Sequence, residues 1–319
     1  MHFAAVPQMR RAYGKGVAPS DEESTDMIVA VASGKGGTGK TTVAVNLALT
    51  VSLLRGQSGV EQVFFVDCDV EEPNAALFLY PTIERRDKVQ VPIPEVDLTK
   101  CTFCMRCADV CRYNAMAVVR RQVLVFPELC HGCGSCVLNC PEGAIGETSR
   151  VTGVVEQGIA HGGVRFAQGI LNIGEAMPVP ILRQLKRQAI PEDTSSSLVI
   201  LDAPPGTACP VVETIHGADM VLMVTEPTPF GLHDLRLAVQ VARDELGLPV
   251  AVVINRDGIG DKEVEGYCHS QGLPVWMRIP MDRRIAEAYA EGQAIVEAFP
   301  AYKQRFLNLY QQIVAAVGQ

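Results

Sequence analysis

Eight of the eleven cysteines fall between Cys101 and Cys140, in two copies of a single pattern. Residues 101–116 read C-x2-C-x2-C-x3-C-x3-A-M, and residues 130–145 read C-x2-C-x2-C-x3-C-x3-A-I, the first copy displaced by 29 positions (130 − 101). Two residues between thiols let one turning loop put three sulfurs on three corners of a cubane. The fourth cysteine, farther along, is carried to a neighbouring cubane, and this is iron–sulfur spacing. Zinc is the competing reading. A structural zinc site takes four ligands in two pairs separated by a longer loop, not eight in a tandem repeat.

A second chemistry lies upstream. In "MIVAVASGKGGTGKTTVAVNLAL" a short apolar run enters a Gly-rich loop, and a helical pattern begins at Lys40. Gly34, Gly39, Lys40 and Thr41 satisfy the phosphate-loop pattern in the strand–loop–helix setting it requires. Amides of Gly36, Gly37, Thr38 and Thr42 face phosphate in such a loop, and the helix N-terminus adds its positive end. Lys40 reaches the β- and γ-phosphates of ATP or ADP, and Thr41 ligates Mg²⁺. Asp67 and Asp202 each end an apolar run, at the sheet edge where open α/β folds bind ligands.

The loop Lys35-Gly-Gly-Thr-Gly-Lys-Thr-Thr resembles the deviant Walker A loop of the MinD/ParA/Mrp ATPases, which include the nitrogenase iron protein. "FFVDCDVEEPN", "LVILDAPPGTACP", "VTEPTPFGLHDL", "VVINRD" and "IPMDRRIAEAYAEG" extend the likeness over nearly everything beyond residue 27 except the cysteine block. The resemblance implies that Lys35 crosses a dimer interface, that Asp69 orients the attacking water, and that Asp67 and Asp202 join Thr41 around Mg²⁺. It implies that Gly206 belongs to switch II and that Asn255 reads the adenine edge beside Arg256. Arg256 and Asp282 also read as plain surface charges. The cysteine block resembles two-cluster ferredoxins. That resemblance implies one [4Fe–4S] cluster on Cys101, Cys104, Cys107 and Cys140, and another on Cys111, Cys130, Cys133 and Cys136. Cys140 is followed by Pro141 as in those proteins, whereas Cys111 is followed by Arg112.

Elements must hold these groups in place. Apolar runs at 27–33, 63–67, 198–202, 220–225, 250–254 and 274–279 alternate with helical patterns at 40–54, 175–189, 232–246 and 282–292. The alternation predicts a doubly wound, mainly parallel α/β sheet with an inserted α+β ferredoxin domain. The expected parts are a flexible leader (1–26), an ATPase core (27–90 and 150–319) and the insert (91–149). The Pro-containing segment 81–96 and the Gly-rich segment 146–163 read as hinges. Met116 and Ile145 read as packing beneath the clusters, and His131 as a solvated loop residue or a hydrogen-bonding neighbour of a cluster. Segment 299–317 reads as a helix packed on the sheet rather than an interfacial one, since only Lys303 and Arg305 are basic.

Cys209 lies seven residues after Asp202. In the nitrogenase iron protein a cysteine at that distance ligates a cluster on the dimer axis. Here it reads either as a small buried residue packing switch II, stiffened by Pro205 and Pro210, or as a dimer-axis thiolate for a soft metal. A net charge of −8 speaks against nucleic-acid binding, and no run of 18 apolar residues exists. Thiols at metal-ligand spacing point to a reducing cytoplasm. The leading expectation is an ATPase, as a homodimer or a heterodimer with a related ATPase, whose nucleotide state gates electron transfer to a partner metalloprotein. The alternatives are an ATP-dependent metallocluster assembly factor and a positioning ATPase of the MinD/ParA kind.

Overall fold

The computed structural model describes residues 27–191 and 196–318; the leader call on residues 1–26 lies outside them. Along the chain the strands are β1 (Met27–Ala32), β2 (Gln62–Asp67), β3 (Thr82–Val96), β4 (Met116–Val119), β5 (Gln122–Val125), β6 (Ile145–Ala160), β7 (Val164–Leu171), β8 (Ser197–Asp202), β9 (Met220–Thr225), β10 (Val250–Asp257) and β11 (Val275–Pro280). The helices are α1 (Lys40–Leu53), α2 (Arg55–Ser58), α3 (Ala76–Leu79), α4 (Arg106–Asp109), α5 (Ser135–Leu138), α6 (Val179–Ala189), α7 (Cys209–Ile215), α8 (Pro229–Val239), α9 (Glu263–Ser270), α10 (Arg283–Ala290), α11 (Ile295–Ala298) and α12 (Ala301–Val317).

One nine-stranded sheet carries the molecule, in the order β11-β10-β9-β1-β8-β2-β7-β6-β3. From β11 to β7 every pairing is parallel, and β6 and β3 close the edge antiparallel. β1 and β8 read as continuous apolar runs because helices cover both of their faces. One face buries Val29, Phe65 and Phe166 under α1, α11 and α12. The other buries Val66, Leu201 and Ile254 under α6, α7, α8 and α9. α12 lays Phe306, Leu309, Tyr310 and Ile313 into the first face, as a core helix does. Helix α8 begins three residues before the predicted start, with Pro229 in its first turn and the Thr228 hydroxyl capping the Gly231 amide, and it runs on as a π turn over 240–245.

The two segments expected as hinges are strands. β3 and β6 pair from Thr82↔Ile159 to Val96↔Ile145, with breaks in register between Ile83 and Arg85 and between Val89 and Gln90 that mark bulges at Glu84 and Thr152. β3 is the edge strand, so Pro92 and Pro94, which lack an N–H, are tolerated there. Gly153 is a close-approach position, since a Cβ there would strike the Ile170 carbonyl and the Ile181 side chain.

The ribbon's direction matters for function. Asp67 is level with Gln168, Gln168 with Glu156, and Glu156 with Arg86. Beyond the end of β7, residues 90–96 and 145–151 run on unaccompanied for about 20 Å, past the carboxyl edge of the sheet. The cysteine block therefore hangs from a stiff arm on the edge that carries the phosphate loop. It has its own small core of Cys107, Met116 and Ile145, and the hairpin β4–β5 flanks it.

Candidate functional site

Residues 33–39 turn from β1 into α1 with Gly39 at φ 91°, where only glycine is unstrained. A Cβ on Gly39 would also collide with the Asn255 amide nitrogen. That nitrogen donates to the Thr38 carbonyl at 2.8 Å, so in this chain Asn255 braces the loop. The segment after β8 closes on the same loop, with the Gly206 amide donating to the Ser33 carbonyl at 3.0 Å and Ala203 to the Val31 carbonyl at 2.9 Å.

The carboxylates converge as the strand ends require. Asp67 and Asp202 are cross-strand partners on β2 and β8, and Val31 of β1 is opposite Asp202 on the other side. Asp67 accepts from the amides of Asp69, Asn74 and Ala75, each at 3.1 Å. Both oxygens of Asp202 are buried without a hydrogen-bond partner, as is the Thr38 hydroxyl. Burial above all, and then the nearby Asp67 charge, pushes Asp202 far above the ordinary carboxylate range. Burial likewise raises Asp67, against the pull of its backbone donors. A buried pair of acids with unmet acceptor capacity beside a phosphate loop suits a hard divalent cation with oxygen ligands, and Thr41, Asp67 and Asp202 fit Mg²⁺.

The lysines are held in reserve. Lys40 Nζ stands 3.4 Å from Asp69, and both side chains are nearly buried. Lys35 Nζ stands 3.4 Å from Glu226, whose other oxygen takes Arg256 Nη1 at 2.6 Å. Glu226 is 6% exposed and was missed in the sequence, although "VTEPTP" places an acid straight after the β9 strand end. Asp282 is the N-cap of α10, accepting from the Arg284 amide, and lies outside this group.

On the ribbon the eight cysteines sort into two fours. Cys101, Cys104, Cys107 and Cys140 line one small cavity, with Val96 and Ile145 from the far end of the ribbon. Cys111, Cys130, Cys133 and Cys136 line another, with Pro92, Pro94 and Glu147 from nearer the sheet. Each cavity thus takes three cysteines from one copy and the fourth from the other. The two copies share a backbone: Phe103, Met105 and Asn114 take positive φ at the positions of Gly132, Gly134 and Gly143, 29 residues on. Amides point at sulfur in matching fashion, Ala115 to Cys111 at 3.2 Å and Ala144 to Cys140 at 3.3 Å. Among the described residues no three His, Cys, Asp or Glu side chains close on a point that would hold a single metal ion. A cubane takes four thiolates rather than closing on one point, and the donor set of each cavity, four thiols, matches that requirement. His131 is exposed in its loop, as expected of a solvated residue, and it stacks on Tyr113 with ring centroids 3.6 Å apart.

Cys209 opens α7 and is exposed, which removes the reading of a buried packing residue. Cys68 and Cys268 are buried, and burial pushes both thiols up. No described helix is long and apolar enough to cross a membrane.

Fold and loop together define a P-loop nucleotide-binding protein of the doubly wound α/β class. The CobQ/CobB/MinD/ParA nucleotide binding domain matches residues 29–295, and the chain belongs to that family, whose MinD and ParA members are nucleotide-binding ATPases. It is 31% identical over 280 residues to an uncharacterized protein of Methanocaldococcus jannaschii, covering 85% of this chain and 92% of that one. An iron-sulfur cluster carrier protein of Aquifex aeolicus is 24% identical over 299 residues, covering 86% of this chain and 62% of the carrier. Among solved structures, the septum site-determining protein MinD of Pyrococcus horikoshii, complexed with Mg-ADP, aligns with TM-score 0.54 at 18% identity, over 92% of this chain and 98% of that one. The cell division ATPase MinD of Pyrococcus furiosus gives the same score at 20% identity, over 91% and 99%. At these identities the solved structures speak for the fold.

Proposed function

We propose that this protein is an Mg²⁺-dependent ATPase that couples its nucleotide state to two [4Fe–4S] clusters and passes electrons through them to a partner metalloprotein. The observation that carries the reading is the sorting of eight cysteines into two four-thiol cavities on an arm rooted beside the nucleotide site. Cys101, Cys104, Cys107 and Cys140 hold one cluster, and Cys111, Cys130, Cys133 and Cys136 the other. When bound, the clusters supply one-electron storage, at potentials that charge, hydrogen bonds to sulfur and solvent exposure set.

The chain's own residues do the switching. ATP phosphates compete with Asp69 for the Lys40 ammonium, and loss of the 3.4 Å pair frees Asp69 to orient water for attack on the γ-phosphate. Lys35 leaves Glu226 to meet the nucleotide of a partner subunit, where a positive charge stabilises the transition state. Asp67 links this edge to the arm, because its carboxylate holds the amides of Asn74 and Ala75, which open α3 and lead into β3. A polar row reinforces the link: Gln168 donates to buried Glu156 at 2.7 Å, and Glu156 pairs with Arg86 of β3 at 3.4 Å.

The likeness to an iron-sulfur cluster carrier favours a second reading, ATP-dependent assembly of a partner's metallocluster. Against simple carriage, the one cysteine beyond Cys209 is Cys268, which is 1% exposed and offers no pair for a transferable cluster. Retention separates the two. Anaerobically purified protein is mixed with an iron-free acceptor ferredoxin, with and without ATP, and iron is followed by its visible absorption. The electron-transfer reading expects the iron to stay with this chain. Transfer to the acceptor overturns it in favour of assembly.

A further inference from the structure

The 29-residue repeat makes the two cysteine cavities superimposable position by position, so every departure between them is informative. The backbone turns match, as do the small helices α4 and α5 and the amides that face Cys111 and Cys140. Six lining positions hold different residues, among them Phe103, Met105 and Ile145 in the first cavity against Gly132, Gly134 and Met116 in the second. Where the Cys101 cavity has Arg106, the Cys130 cavity has Ser135; where it has Thr102 and Glu142, the other has His131 and Tyr113. Each cavity also has one carboxylate on its lining, Glu142 in the first and Glu147 in the second, and these offset one another.

What remains on the linings is a difference of charge, because Arg112, next to Cys111, lies outside the lining of the Cys130 cavity. Arg106 is exposed and forms no ion pair among the described residues, so its positive charge is uncommitted beside the Cys101 cavity. Ser135 contributes only a hydroxyl 3.5 Å from Cys133. Tyr113 and His131 are exposed, line the Cys130 cavity and stack at an interplanar angle of 9°, so the pair stands across its mouth. Added negative charge is favoured by a nearby cation and by access to water, and disfavoured behind a screen of aromatic carbon. Phe103 and Met105 cover the Cys101 cavity as Tyr113 and His131 cover the other, so the charge of Arg106 is the difference that decides.

Resting on the cluster reading above, we propose that the two sites are deliberately inequivalent and that Arg106 makes the Cys101 site the higher-potential one. A single electron from an external one-electron reductant then resides at the outer site, lined by the terminal ribbon pair Val96 and Ile145, rather than at the inner site against Pro92 and Pro94. Electrons collect at the tip of the arm, and the acceptor is served there.

The test uses the full-length, anaerobically purified chain at one fixed pH. Iron analysis comes first, and a chain that binds no iron sinks the cluster reading itself. With iron bound at both sites, stepwise dithionite titration followed by electron paramagnetic resonance is expected to give two waves. Cys133→Ser removes the inner site and leaves the higher wave; Cys104→Ser removes the outer site and leaves the lower. In the otherwise intact chain, Arg106→Ser lowers the higher wave alone, shifting the electron's partition about tenfold, or about 59 mV for one electron. Ser135→Arg raises the lower wave by a comparable amount. Coincident waves in the iron-replete protein overturn the proposal while leaving the clusters standing. So does an Arg106→Ser variant that keeps its iron and moves neither wave, or both equally.

Discussion

The carboxyl edge of the sheet and the tip of the ribbon solve opposite problems. At the sheet edge a large core fixes the site first and leaves charge unmet within it: Asp202 is wholly buried and unpartnered, and Lys40 and Lys35 are held by Asp69 and Glu226. At the tip the core is three buried residues, and the site is made of turns, several in left-handed backbone that costs energy outside glycine. The first region is folded and waits for its ligand. On the proposed cluster reading, the bound group would supply the missing core of the second, as small metal domains require. Nucleotide chemistry should therefore survive loss of iron, and the cysteine module should not.

The largest effect falls on turnover. Lys35→Ala should leave ATP affinity within about threefold, since its partner in the resting chain is Glu226, and slow hydrolysis about 10²–10³-fold. Asp69→Ala should be comparably slow. Mixing the two restores one sound site per mixed dimer, with Lys35 from one chain and Asp69 from the other. Steady-state phosphate release measures it, and mixtures with no recovery would break the idea of a lysine acting across the interface.

Next comes binding, which tests the independence of the two regions directly. Lys40→Ala removes a charge-assisted phosphate contact of ~2–3 kcal/mol, about 30- to 150-fold in Kd by calorimetry. Cys104→Ser or Cys133→Ser should halve the iron yet leave that Kd within about twofold. Equal losses of nucleotide affinity in the cysteine variants would show that the sheet edge depends on the module.

The same contrast explains what was legible in the sequence. Strands β1, β2, β8, β9, β10 and β11 and the phosphate loop read directly because buried parallel strands are apolar runs and the loop has a fixed pattern. The cysteine repeat read from spacing; its division into two fours came from the resemblance to two-cluster ferredoxins, and two cavities are lined by those fours. The ribbon did not read. Pro92, Pro94 and Gly153 look like breakers in isolation, and only the edge position of β3 and the close passage of Ile170 and Ile181 make them strand residues. Glu226 was invisible for a related reason, since an acid after a strand gains its role from Lys35 and Arg256, 191 and 30 residues away.

A smaller effect, on stability, probes the unmet charge. In nucleotide-free protein burial holds Asp67 up at about 6 and Asp202 at about 8. The folded chain then binds more protons than the unfolded one above the ordinary carboxylate range, so stability falls as pH rises from about 4 to about 8. Asp202→Asn should flatten that slope and gain about 1–3 kcal/mol at pH 8, while losing stabilisation by Mg-ATP. Thermal melts in chelator across that range check it. Parallel wild-type and variant curves would mean the carboxylate is satisfied after all.

The smallest effect is a rate of alkylation, and it sets the three cysteines outside the repeat against the eight within it. Thiolate is the reacting species, so a thiol needs both access and an attainable pKa. Cys68 and Cys268 have neither: they are 0% and 1% exposed, and burial pushes Cys268 up to about 11 and Cys68 higher still. Cys209 is exposed at the first turn of α7. With iron in place, mass spectrometry after a short iodoacetamide pulse should find Cys209 as the one modified residue. Removal of iron should add the cysteines between Cys101 and Cys140, while Cys68 and Cys268 stay unmodified in both states because the sheet keeps its fold. Their labelling on iron loss would overturn the separation of the two regions. Non-hydrolysable ATP analogue with Mg²⁺ should slow Cys209 about tenfold if switch II faces a partner subunit; an unchanged rate would put this thiol away from the dimer face and end its candidacy as an axial metal ligand.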